Sequence, residues 1–417
     1  MPEVRQVSTT PDTAVTSLKE FIPDFIDALT RPLTEKEKWS GIYKPPEQPR
    51  IAMTGTYDEV QAYFEGDLTR FPRLPGKSPV ALMTDGLPVT PPTEERVAKM
   101  LKGTSHAPDE VIEIRVTGEA SLEAVEFIAT VEKVAINAVM AGCKPEHMPV
   151  LLAMAELSLP RGGPSDCSSG QMYVVSGPIA REIGMNRGIQ LFSPGNPANT
   201  ALGRAATLMG INLAGCKMGV NTIARMGNNI WGTTFAESEL TPWEGLNVDA
   251  GYRADESVLV SFSHHIKVVL PCTGNVKTPT NLFEFQNASP EHLVAALKTC
   301  KSNLVFFTPD TAKVWKEHYG FTSIQQLQDY LWDNLTWNAG ECRTHYTFYK
   351  WSEIAAKNPR GSRTLNPDHL DAPDDALIPM IVGGPEAITI IVAGGDGYAW
   401  GWGGSWAPKY ALIDKWK

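Results

Sequence analysis

Three times along the chain, an unbroken apolar run passes through a small-residue or proline turn into an amphipathic helix, and this recurrence limits the available folds. The runs are Ile51-Ala52-Met53-Thr54 before a helix over 57–64, Met172-Tyr173-Val174-Val175 before one over 178–183, and Leu304-Val305-Phe306-Phe307 before one over 309–319. A strand apolar at every position is covered on both faces, so the pattern predicts an α/β fold of largely parallel sheets with flanking helices. Pro145-Glu146-His147 and Pro290-Glu291-His292 each open an apolar helix that leads into one of these strands. This weak internal repeat predicts two similar lobes, residues 51–250 and 251–417, behind an N-terminal arm, residues 1–50. The arm's helix, around 13–29, carries Leu18, Phe21, Ile22, Phe25 and Ile26 on one stripe, which predicts docking on the body or on a second subunit.

At 417 residues the chain has ample length to bury a core. Its net charge of −10, with no run of Lys or Arg, argues against a nucleic-acid partner. No apolar stretch approaches the roughly 20 residues of a membrane helix, and the first residues lack the apolar core of a signal peptide, so a cytoplasmic protein is expected. The six cysteines are scattered without a CxxC pair, which predicts reduced thiols and no structural zinc site.

Several residues are candidates for chemistry. A helix predicted over 122–141 places Glu132 on its apolar stripe, where burial would raise a carboxyl pKa, while Lys133 and Asn137 lie on a separate polar face. A stripe-edge glutamate paired with a cation is the plainer alternative. Ser193 to Thr200 precedes another helix, with Asn199 or Thr200 as its cap. Backbone N–H groups there, with Asn196, Asn199 and Arg204, would converge on an anion unless the arginine binds a protein carboxylate. Glu237 and Glu239 share a face if their segment is extended and would then share a proton or a cation; a solvated acidic turn closed by Pro242 is the plainer alternative. In the alternating run from Val258 to Val268, His264 falls with the apolar set. Cys167 sits in a glycine-rich connection that makes the first repeat longer than the second, and is either a nucleophile or an inert loop thiol. The strand ending at Ala393 runs into Gly394-Gly395-Asp396-Gly397 and a tract holding Trp400, Trp402 and Trp406. That tract is placed to wall a pocket beyond the strand tips or to meet another subunit.

Together several stretches resemble the downstream domain of the UGSC-family (seleno)proteins, a bacterial group. They include Thr130 to Cys143, Ser176 to Gly184, Pro194-Gly195-Asn196 with Ala198-Asn199, Pro242-Trp243-Glu244, and Ile391 to Gly395, spanning about residues 90–397. Members of that family take their name from an upstream domain with a Cys-or-Sec, Gly, Ser, Cys motif, which is absent from this sequence. The resemblance implies reductive or lytic cleavage of a carbon–heteroatom bond, or a non-catalytic subunit working beside a UGSC-type partner.

The sequence thus leads to a small-molecule enzyme acting on an anionic substrate, as a homo-oligomer or beside a UGSC-type partner subunit. Its catalytic candidates are Glu132, His264, Cys167 and Glu237, and its substrate-binding candidates Asn196, Asn199, Arg204, Lys133 and Asn137. No residue pattern names a cofactor or a metal-ligand set. A ligand-binding protein without turnover is the remaining alternative.

Overall fold

The computed structural model describes residues 22, 23, 26, 27, 30–32, 42–43, 50–65, 83–117, 124–157, 159–160, 171–216, 233–263, 289–300, 303–344, 372–381, 383–397, 400–403 and 408–417. Its strands are β1 (Ile42–Tyr43), β2 (Val111–Thr117), β3 (Ala124–Thr130), β4 (Gln171–Ser176), β5 (Thr233–Ala236), β6 (Val258–Ser263), β7 (Leu304–Phe307), β8 (Thr336–Asn338), β9 (Leu377–Pro379), β10 (Thr389–Val392), β11 (Trp400–Gly403) and β12 (Lys409–Leu412). The helices used below are α1 (Tyr57–Glu65), α2 (Glu94–Met100), α3 (Val131–Met140), α4 (Met148–Leu157), α5 (Ile179–Glu182), α6 (Pro197–Leu213), α7 (Leu246–Asp249), α8 (Pro290–Cys300), α9 (Pro309–Glu317) and α10 (Ile324–Asn334).

The protein is α/β, but its sheets are mixed. Among the described residues, β1/β3, β4/β5 and β7/β10 pair parallel, whereas β2/β3, β4/β6, β6/β12, β7/β11 and β8/β9 pair antiparallel. The expectation of largely parallel sheets fails because full burial of a strand follows from layers on both its faces, whatever the direction of its neighbours. Two sheets matter most, with strand orders β12-β6-β4-β5 and β10-β7-β11. In each, the strand that follows a Pro-Glu-His helix start is flanked by one parallel and one antiparallel neighbour. The expected boundary near residue 250 runs through the first sheet, since β6 and β12 pair in register with β4 or with each other.

Strand alternation sorts the apolar residues into three layers. Tyr173, Val175, Ala236 and Leu259 face α2, α3, α4 and α6. Met172, Val174, Phe235 and Val260 share a layer with Leu304, Phe306, Ile391 and Ala393 of the second sheet. The opposite face of that sheet, with Val305, Phe307, Ile390 and Val392, packs on α8, α9 and α10 around the fully buried Trp315. One backbone hydrogen bond also ties the sheets: the Ser238 N–H donates to the Val392 carbonyl at 2.8 Å.

Two local expectations are corrected. Residues 51–54 form no strand, and Ile51 is exposed, although the helix after them forms as α1. The helix expected over 122–141 begins only at Val131; the preceding residues form β3, and the Thr130 side chain caps α3 by accepting from the Lys133 N–H. Apolar spacing at Phe127 and Ile128 fits either period, and antiparallel pairing with β2 decides for the strand. The arm's helix lies mostly outside the described residues; of its stripe, Ile22 and Ile26 are exposed.

Residues 414–417 are tied to the loop after α2. Both ring nitrogens of His106 face acceptors: Nδ1 meets the Glu110 carboxylate at 2.9 Å, and Nε2 meets the Lys415 carbonyl at 2.8 Å. Only the imidazolium satisfies both, and these bonds, the Lys415 carbonyl first, raise the His106 pKa above its usual value near 6.5. The stabilisation is therefore complete below pH 6.5 and is lost as pH rises through the folded-state value. His106→Gln is expected to cost about 1 kcal/mol at pH 6 and little at pH 9, allowing for solvent screening. Urea titrations at the two pH values would show it, and an equal loss at both would remove the charged hydrogen bond from the account.

Candidate functional site

The carboxyl ends of parallel strands are where open α/β sheets place ligands. At the first sheet, Val175 pairs with Ala236, so the next residues, Ser176 and Glu237, meet at the tips. The Ser176 hydroxyl donates to Glu237 Oε2 at 2.6 Å, and the Leu246 N–H, opening α7, donates to the same carboxylate at 3.0 Å. The Asn247 N–H donates to Ser176 Oγ at 3.2 Å. Gly245 crosses closely over this cluster, because a Cβ there would stand 2.7 Å from Asn247 Oδ1 and 3.3 Å from Glu237 Oε2. Both Ser176 and Glu237 are buried. Burial pushes the Glu237 pKa up to about 7, outweighing the hydrogen bonds from Ser176 and Leu246 that favour the anion. Nearby Asp249 is raised to about 6, also by burial.

At the second sheet the corresponding tips open into a cavity of about 270 Å³. Leu191, Phe192, Phe306, Phe307 and Trp400 supply its apolar wall, and Gln190, Ser193 and Thr308 its polar side chains. Ala393, Gly394 and Gly395 close it at the end of β10. Gly395 admits no side chain, since a Cβ would lie 2.6 Å from the Ile189 backbone nitrogen. The facing loop, 186–196, is held by asparagines. Asn199 Oδ1 accepts from the Asn186 N–H at 2.9 Å, and Asn199 Nδ2 donates to the Asn186 carbonyl at 3.0 Å. Asn196 Nδ2 donates to the Gln190 carbonyl at 2.7 Å and the Ser193 carbonyl at 2.9 Å, while its Oδ1 accepts from Asn186 Nδ2 at 2.8 Å. This clamp keeps Gln190 at φ 63°, the one non-glycine among the described residues with a left-handed backbone. Such strain persists only where surrounding contacts impose it.

The two tips are neighbours. Ser238, next to Glu237, bonds to Val392, and the following residue, Ala393, lines the cavity. The chain that carries the buried carboxyl is thus joined, through the backbone of Ser238, to the end of β10 that lines the cavity, while the carboxyl itself bonds to Ser176 and Leu246.

The other expected site residues are dispersed. Glu132 lies in the first turn of α3, not on its buried stripe, with its side chain 28% exposed and 2.9 Å from Arg50. The late helix start turns this position toward the exposed Arg50, where a carboxylate suits the helix dipole. Lys133 Nζ donates to the Ile128 carbonyl at 2.8 Å at the surface. Asn137 is buried and accepts from Asn212 Nδ2 at 2.8 Å, which ties α3 to α6. Arg204 grips Asp85 with both ends of its fork, at 2.9 and 3.0 Å, and reaches the Leu87 and Pro88 carbonyls. Its guanidinium is therefore committed, and the expected anion site around it is not formed. Helix α6 starts at Pro197, ahead of the expected caps, so Asn199 sits inside its first turn and binds the loop instead. Glu239 parts from Glu237 and pairs with Arg181 and Arg187. Cys167 and His264 lie outside the described residues.

Sequence reading missed Ser176, Asn247, Phe192 and Thr308. Ser176 and Thr308 each directly follow the core of an apolar strand, which was the available signal. Asn247 and Phe192 reach their places through loop paths that carry no periodicity. Among the described residues no group of three or more His, Cys, Asp or Glu side chains is placed to hold a metal, and no helix is long and apolar enough to cross a membrane. In comparisons with known proteins, no family model, no curated protein and no solved structure matches this chain.

Proposed function

We propose that this protein is a small-molecule enzyme whose substrate enters the cavity at the tips of β7 and β10, with Glu237 handling a proton. What supports this reading is a buried carboxyl with its pKa near 7 at the tip of β5, a strand whose following residue, Ser238, bonds to the end of β10 that lines an apolar-walled cavity. A pKa near the working pH suits a general acid or base, because both protonation states are populated. Ser176 and the Leu246 N–H hold the carboxyl in one orientation. Cleavage of a carbon–heteroatom bond, as the UGSC resemblance implies, would use such a group to protonate the leaving atom. Asn196 and Asn199 serve as positioning residues for the cavity wall.

Glu237→Gln keeps the size of the side chain and removes the titrating proton. Once a substrate is found, this variant is expected to lose turnover by about 100-fold or more with ligand affinity unchanged. Full turnover in a folded Glu237→Gln protein would remove Glu237 from the chemistry. A second reading, ligand binding without turnover, is favoured by the cavity wall itself, which carries no ionisable side chain among the described residues; it predicts saturable binding with no product from wild type.

A further inference from the structure

Resting on that reading of the cavity, we infer that its ligand is an uncharged molecule with a flat, aromatic or otherwise apolar ring, and not the anion that the sequence suggests. Among the described residues, none of the side chains lining the cavity is ionisable. The cation within loop 186–196, Arg187, is paired with Glu239, and Arg204 is closed onto Asp85. A charge brought into this wall would give up hydration without gaining a counter-ion, which is strongly unfavourable. A ring loses nothing of that kind and gains contact with the exposed face of Phe192.

The wall also provides a small polar edge. Asn196 fixes the backbone of Gln190 and Ser193 through their carbonyls, and both of these residues line the cavity. An amide and a hydroxyl on one rim suit a ligand with one neutral donor–acceptor group at the end of an apolar body. Phe192, on the same loop and partly exposed, packs edge-on against Phe235 at 5.2 Å and stands at the mouth of the cavity. Exposed Ile189 lies one turn of chain away on that loop, which makes the entrance apolar as well.

The test uses a matched pair of probes, 2-naphthamide and 2-naphthoate, which share a ring and differ in charge. Binding to the full chain is followed by tryptophan fluorescence and by calorimetry at fixed salt. The amide is expected to bind at least about tenfold tighter than the carboxylate. Ser193→Trp, which fills the cavity from an exposed loop, is expected to remove binding of both while leaving thermal unfolding unchanged. Should Ser193→Trp fail to fold, Phe192→Ala, an exposed-loop truncation, is expected to weaken the amide several-fold. Equal binding of both probes, or preference for the carboxylate, overturns the inference about charge and leaves the cavity as a ligand site. Binding of neither probe, or binding that survives both variants, removes the cavity itself and with it the functional reading above.

Discussion

Replacing Arg204 with alanine should lower the stability of the protein by about 3 kcal/mol, the scale of breaking a largely buried ion pair. The guanidinium holds both oxygens of Asp85 and two backbone carbonyls, and with the bond from Asn212 to the Met83 carbonyl it links α6 to the segment that precedes α2. Its side chain is 23% exposed and that of Asp85 only 9%, so a lone Asp85 would keep a charge in a place that water barely reaches. Most of the loss comes from that stranded carboxylate and not from the attraction itself. The double variant Asp85→Ala/Arg204→Ala should therefore be more stable than Arg204→Ala alone. Chemical denaturation of wild type, both single variants and the double variant measures this directly. If the losses simply add, the two side chains are energetically independent and Arg204 returns as a candidate for binding an external anion.

The second large effect concerns Glu237. Its pKa rises from 4.5 to about 7 on folding, so between these values the folded chain holds a proton that the unfolded chain has released. Stability must then fall as pH rises across this window, and the full contribution is present only below pH 4.5. A shift of this size corresponds to a loss on the order of 3 kcal/mol by pH 8. Glu237→Gln has no proton to lose, so the stability difference between wild type and the variant should swing in favour of the variant between pH 5 and pH 8. Denaturant titrations at those two pH values give the swing. A difference that stays flat would mean that the carboxyl is ionised throughout, and its proton would no longer be available for catalysis near neutral pH.

The parts of the fold legible in the sequence were those written in local pattern. Met172 to Val175 and Leu304 to Phe307 are strands because every position in them is apolar, and the alternation of Val258, Val260 and Phe262 against Leu259 places neighbouring residues in different layers. Strand direction was not legible, because apolarity reports burial and says nothing about which neighbour a strand will find. The boundary between β3 and α3 was hidden for a related reason: the residues of β3 can be read with either period, and only the distant β2 distinguishes them. Among site residues, Glu237 was visible as one of a pair with Glu239, yet Glu239 turns to Arg181 and Arg187, and the partners of Glu237, Ser176 and Leu246, come from other segments. Asn196 and Asn199 were visible as unusual residues, but their work is inside the loop. Of the two readings open for Arg204, the structure shows the bond to a protein carboxylate, and its partner Asp85 was not legible because it lies far away in the chain within a stretch that has no repeating pattern.

The asparagine clamp on loop 186–196 also bears on how fast a ligand is captured. Its hydrogen bonds run between groups of the protein itself, so the wall has its final shape before any encounter and no backbone needs ordering at that moment. Association should accordingly proceed in one kinetic step, with a rate proportional to ligand concentration and no plateau. Loosening the clamp, for example with Asn196→Ala, should convert this into a slower approach that saturates, as loop closure takes over from diffusion.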